Sequence, residues 1–182
     1  MLGLPKCSST QWGRIVKWLE PHVTALAEWS CVQVRQAIID RGDQQGWVAS
    51  FDGFYLTRGH YSNNSSATIH DFLTGGVGWF THRTKRGPGH NWQGTSNAAE
   101  GDMYAEILSK VKSAGFNVKE IITDKDCCGN RIFANEFPEG EVFFCSNHCA
   151  KTMHKNLETI KRSKCEVISS AKMFSMHNIP FL

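Results

Sequence analysis

Apolar positions along the chain change period several times, and each change marks an element. From residue 9 to 41 they recur at helical spacing, with Ile15, Trp18 and Leu19 in a first predicted helix and Val34, Ile38 and Ile39 in a second. The polar run DRGDQQG ends that pattern. WVASFDGFYLT then has the aromatic and β-branched content of a buried strand, SATIHDFLT and GVGWFTH read as two more, and LTGG suits the turn between them. A loop rich in Arg, Lys, Gly and His leads to a helix predicted from about Asn97 to Ser113, with a left-handed cap at Gly115. After it come a short strand in NVKEIITD, a helix in CGNRIFANEF, a fifth strand in GEVFFC and a long helix in SNHCAKTMHKNLETIKRS. No internal repeat is visible, and from Cys165 onward no period is clear.

The order β-β-β-α-β-α-β-α resembles a ribonuclease H-like α/β fold: a mixed five-stranded sheet flanked by helices, here preceded by a short helical segment. The domain organisation expected is 1–44 for that segment, 45–164 for the core and 165–182 for a tail. In such an order the first and fourth strands can lie side by side, which brings distant parts of the sequence together.

Composition narrows the class only modestly. A chain of 182 residues suits one domain with a sizeable core. A net charge of +3 is too small to identify a nucleic-acid binder by itself. The opening MLGLPKCSSTQWGR lacks the extended apolar core of a signal peptide, and no segment has the length needed to cross a bilayer, so an intracellular protein away from membranes is expected. The odd count of seven cysteines and the adjacent Cys127 and Cys128 argue for reduced thiols.

Strand adjacency turns two acids into candidates. Asp52 interrupts the apolar run of Trp47, Val48, Phe51, Phe54 and Tyr55, where a carboxylate is costly unless something binds it; a strand-end aspartate capping a turn at Gly53 is the plain alternative. Asp124 and Asp126 stand where a strand meets a helix, and either suits an N-cap. Side by side, Asp52 and Asp124 would repel, and a divalent cation relieves the repulsion; oxygen ligands favour Mg²⁺ or Mn²⁺. Glu100 falls on the stripe of Met103, Tyr104, Ile107 and Val111 that must face the sheet, so it can aim toward the aspartates, or it can complete a capping box with Asn97.

FDGFYLTRGH, HNWQGTSNAAEGDM, ITDKDCCG and CSNHCAKTMHKNL, in this order and spacing over roughly residues 10 to 164, resemble the catalytic domain of Mutator-like transposases. The resemblance implies a ribonuclease H-like fold, an Asp-Asp-Glu metal site that cuts and joins DNA, and a nuclear location. By block position Asp52 and Asp124 match its two aspartates, and Cys145 with His148 matches its Cys-x2-His signature. The family's glutamate normally lies well downstream. Here only Glu158 and Glu166 follow that signature, so the resemblance implies a fragment, a decayed copy or a domesticated derivative; Glu100 is a candidate acid on the strength of its helical stripe alone.

Along the last helix Cys145, Cys149, Met153, Leu157 and Ile160 share one face, as small or apolar groups seeking burial. Zinc is disfavoured, because Cys127, Cys128, Cys145 and His148 would all have to converge. The opposite face carries Lys151 and Lys155, and the 82–90 loop adds Arg83, Lys85 and Arg86; together they would form a phosphate-contacting track. The function expected is a metal-dependent DNA transposase core with DNA as partner, compatible with a homo-oligomer. The alternatives are a catalytically silent DNA-binding or interaction module and a cellular ribonuclease H-like nuclease, in which a helix glutamate between two aspartates belongs to the site.

Overall fold

The computed structural model describes residues 8–56, 62–87, 89–124 and 129–162, without the side chains of 97, 148 and 160–162. Cys127, Cys128, Asp126, Glu166 and the expected 165–182 tail lie outside the described residues. The chain divides into two compact units, one ending at Phe143 and the other beginning at Phe144.

The first unit opens with one helix, α1 (Ser9–Asp40), where the sequence predicts two. Pro21 sits inside it. A proline removes one backbone hydrogen bond and normally bends a helix, but the flanking turns still pair, so the break in pattern does not become a break in the chain. Ser8 and Gln11 close a capping box at its start. The helix has two very different halves. Residues 8–26 are all exposed, Trp12, Trp18 and Leu26 each by more than half, while Cys31 and Ile38 are buried.

After a 3₁₀ turn (Asp43–Gln45) come β1 (Trp47–Tyr55), β2 (Asn64–Asp71) and β3 (Val77–Thr84), the expected meander. Helix α2 (Ser96–Ser113) crosses over to β4 (Val118–Thr123), followed by α3 (Asn130–Glu136) and β5 (Glu141–Phe144). Gly115 takes φ 79° directly after α2, in the left-handed region that favours glycine, as the sequence predicts. The sheet order is β3-β2-β1-β4-β5, with β1 antiparallel to β2 and parallel to β4. This is the mixed five-stranded, helix-flanked ribonuclease H-like architecture.

Alternation along the strands builds the core. Trp47, Ala49 and Phe51 of β1 are buried, with Ala67 and Ile69 of β2, against Met103, Tyr104, Ile107 and Val111 of α2, all four at most 1% exposed. The Phe51 ring meets Tyr104 edge-on at 4.2 Å. In the second unit α4 (Ser146–Arg162) is amphipathic; Lys151 and Lys155 are exposed, Cys145 and Cys149 half-buried, and Met153 and Leu157 at least half exposed. Among the described residues Cys31 and Cys149 are free cysteines. Among the described residues, no helix is long and apolar enough to cross a membrane.

One buried carboxylate ties three elements together. Asp71, at the end of β2, accepts from Arg41 at the C-cap of α1 (2.9 Å), from Trp47 Nε1 at the start of β1 (3.1 Å), and from the Thr74 amide and hydroxyl in the following turn (3.2 and 2.7 Å). Burial alone would push its pKa up, but the bonds from Thr74, Trp47 and Arg41 outweigh that and hold it below the ordinary aspartate range. Its stabilising contribution is therefore present above the ordinary aspartate pKa and is lost as pH falls through the lowered folded value. Asp71→Ala strands the buried Trp47 donor and removes the partner of the Arg41 guanidinium, and should cost about 3 kcal/mol. In a chain of this length that corresponds to a thermal midpoint lower by roughly 6–12 °C, measurable by circular dichroism.

Candidate active site

The pairing of β1 with β4 decides what meets at the sheet's end. Val48 pairs with Glu120, Ala49 with Ile121 and Ser50 with Ile122, a constant offset of 72. Carried two residues further, the same offset (52 + 72 = 124) would bring Asp52 opposite Asp124, beyond the last paired residues Ser50 and Ile122. Asp52 is exposed and Asp124 half-buried.

Two simpler roles for these acids do not hold. Strand β1 runs on through Tyr55, so Asp52 neither ends a strand nor caps a turn at Gly53. Nor does Asp52 carry the burial cost that its apolar neighbours suggest, because alternation turns it away from the core between buried Phe51 and Gly53. The N-cap of α3 is Gly129, so Asp124 does not cap that helix.

Glu100 is the third candidate carboxyl. The N-cap of α2 is Thr95, whose hydroxyl accepts from the Ala98 amide at 3.2 Å. The capping-box reading with Asn97 is thereby corrected: the helix starts earlier, and Glu100 lies beyond the capping positions. Its side chain lies over Gly53. A Cβ there would stand 3.3 Å from Glu100 Cγ and 3.4 Å from Cδ, so a side chain at this position would press the Glu100 arm a few tenths of an ångström off the strand. The Tyr55 hydroxyl, two residues along the same strand face, lies 3.1 Å from Glu100 Oε2 and 3.2 Å from the Ser96 carbonyl.

The surroundings push the Glu100 pKa up. Burial is the largest cause, the Tyr55 hydrogen bond opposes it, and the negative charges of Asp124 and Asp52 push the same way as burial. Asp124 and Asp52 therefore both act electrostatically on Glu100, although Glu100 overlies the Gly53 and Tyr55 face of β1 and Asp52 stands on the opposite one. A set of three carboxyls, one already disfavoured as an anion, has the hard-oxygen chemistry and excess negative charge that suit Mg²⁺ or Mn²⁺. Among the described residues, no group of three or more His, Cys, Asp or Glu stands close enough together to hold a metal ion in this conformation.

The basic candidates are not equivalent. Arg83 is matched by Asp102 at 2.6 Å and by Glu106, and its side chain is only 14% exposed. Glu106 also pairs with Lys110 at 2.5 Å; against the upward push of burial, its bonds to Lys110, Arg83 and Thr81 pull its pKa to about 2. Arg83 thus carries a charge already answered by its own domain. Lys85 reaches back to Ser96 Oγ at 2.8 Å, and Arg86 is exposed. Lys151 and Lys155 belong to the second unit, as does Cys145 of the Cys-x2-His signature; the His148 side chain lies outside the described set. Tyr55 and Gly53 escaped the sequence reading, although both share the period-two face of β1 that Glu100 overlies.

No protein-family model matches the chain, and no curated protein matches it. Among solved structures it is similar to ribonuclease H1 from the halophilic archaeon Halobacterium salinarum NRC-1, at 17% identity over 54% of this chain and 84% of that one, with a TM-score of 0.37.

The raised Glu100 pKa fixes the sign of two measurements. The folded carboxyl holds its proton more tightly than the unfolded one, so its contribution to stability is full below the ordinary glutamate range and is lost as pH rises through the folded value. Glu100→Gln should therefore raise the thermal midpoint at pH 7 in cation-free buffer. Asp52→Asn should lower the Glu100 pKa in a carbon-detected NMR titration, because it removes one of the neighbouring charges; an unmoved titration would place the two carboxyls out of range.

Proposed function

We propose that the chain is a nucleic-acid-processing core in which Asp52, Glu100 and Asp124 hold a divalent cation for phosphodiester cleavage. The observation that supports this reading is that Glu100 of α2, seated over Gly53 of β1, feels the negative charges of Asp124 and Asp52. The aspartates would provide carboxylate oxygens, and Glu100, seated over Gly53 beside the Tyr55 hydroxyl, would enter as an anion once a cation offsets its neighbours. When bound, Mg²⁺ or Mn²⁺ lowers the pKa of an attacking water or 3′-hydroxyl and neutralises charge on the leaving oxygen. Arg86 and Lys85, just past the end of β3 and so at the same end of the sheet, are the first-unit cations proposed to contact phosphates, with Arg83 acting mainly to fix β3 to α2.

The finer reading, a Mutator-like DNA transposase core acting in the nucleus, rests on the four sequence blocks that surround Asp52, Glu100, Asp124 and Cys145. A glutamate on α2 between the two aspartates instead suits the nuclease alternative, in which no downstream acid is needed. A catalytically silent DNA-binding module is favoured by one observation, that no three described ligands already form a cage.

Cation linkage separates these. A cation that binds only the folded chain with a Kd near ~1 mM adds about 1.4 kcal/mol at roughly 10 mM. That raises the thermal midpoint by roughly 3–6 °C in a chain of this size. Asp52→Asn and Asp124→Asn should each remove the rise and any Mg²⁺-dependent nicking of DNA. A wild-type midpoint indifferent to Mg²⁺ and Mn²⁺ leaves the silent module standing and sinks the catalytic reading.

A further inference from the structure

Alternation along β1 leaves a second face of the sheet, turned away from α2, and its make-up differs from that of the core. Asp52 pairs across with Thr68, which pairs with Phe80; the next row along is Phe54, Ser66 and His82. Phe54 is 49% and Phe80 37% exposed, an unusual outlay of aromatic surface in strands whose other face is fully packed. The middle of α1 overhangs this face, and between helix and strands lies a cleft of about 490 Å³. Cys31 and Ser30 form its helix side; Phe54, Phe80, Thr68 and His82 are among its strand residues.

Three features indicate what the cleft takes. Its volume lies in the range of pockets that enclose a small planar group. Its walls pair flat aromatic surface with a few polar groups, among them His82, whose Nδ1 lies 2.9 Å from Ser66 Oγ. Charge stands close by: Phe54 is two residues, about 6.6 Å of strand, from Asp52, and the exposed Arg86 follows the end of β3 four residues after His82. An apolar peptide would gain nothing from that border of charge, whereas a polyanion carrying planar bases uses both.

We propose that this cleft binds an unpaired base of a DNA strand, packed against both Phe54 and Phe80, while the strand's phosphates run toward Arg86 past the end of β3. This deepens the proposed function, on which it rests, by making a locally single-stranded segment the substrate class. Base stacking on an aromatic side chain tolerates any sequence, because every base presents a π-face. The hydroxyls of Ser66 and Thr68 and the ring of His82 then supply modest selectivity at the base edge.

The test compares a fluorescein-labelled oligothymidylate with an abasic strand of equal length and charge, by anisotropy at low salt without divalent cation. The wild-type chain should bind the base-bearing strand at least about tenfold more tightly, since stacking contributes at this scale. Phe54→Ala and Phe80→Ala should each weaken that binding roughly 5- to 100-fold and leave the abasic strand and the salt slope unchanged. Both side chains are partly exposed, so truncation should preserve the fold, and Phe54→Tyr and Phe80→Trp should keep the base preference. Equal wild-type affinity for the two strands, or Ala variants that bind like wild type, would overturn the proposal. Failure of the proposed function reads out separately, as a wild-type thermal midpoint unmoved by Mg²⁺ and Mn²⁺ while the base preference persists.

Discussion

Strand β1 runs parallel to β4 through the middle of the sheet, and the register of that pairing is the constraint from which the rest follows. A parallel pair cannot be closed by a tight turn, so the chain must cross over, and α2 makes the last leg of that crossover above the sheet. The packing of Met103, Tyr104, Ile107 and Val111 fixes α2 lengthwise, and that in turn sets Glu100 over Gly53. A slip of one residue between β1 and β4 would exchange the two faces of β1, exposing Trp47 and Phe51 to water and driving Asp52 into the core. Burial of the aromatic residues therefore holds the acidic ones in place.

Two carboxyls in this fold show opposite solutions to the same cost. Asp71 is buried and receives four hydrogen bonds, one of them from a guanidinium, so it is held as an anion and serves as a structural tie. Glu100 is half-buried with one hydroxyl beside it and two acids nearby, so its anion is left poorly supported. A purely structural position would be expected to resemble the first. An under-compensated carboxyl at the open end of a sheet is the kind of local conflict that folds tolerate where a ligand later resolves it.

Much of this was legible in the sequence because it is written in period. Alternation gave the three-stranded meander, the helical stripe gave the buried face of α2, and Gly115 announced its own cap. Asp52 and Asp124 could be brought together once strand order was assumed, since adjacency depends on topology more than on local detail. What stayed hidden is three-dimensional. Pro21 argues for a break that the helix spans, Asn97 and Thr95 compete as caps with similar chemistry, and the seat that Gly53 offers Glu100, 47 residues further on, exists only after β1 and α2 have docked. Arg83 looked like part of a basic run, because the carboxylates of Asp102 and Glu106 that answer it come from the next helix.

The uneven exposure of α1 also sets how the molecule reports on itself spectroscopically. Of six tryptophans, Trp12, Trp18 and Trp29 stand at least 60% exposed on that helix, while Trp47 and Trp79 are buried in the core and Trp92 is half-buried. Native emission is thus a sum of two populations, one already water-like before unfolding begins. Denaturant titrations followed by the whole emission envelope understate the transition, because only the blue-shifted Trp47 and Trp79 component moves. The same contrast is useful in quenching: a small neutral quencher reaches the α1 indoles first, and whatever later covers that helix declares itself by their protection.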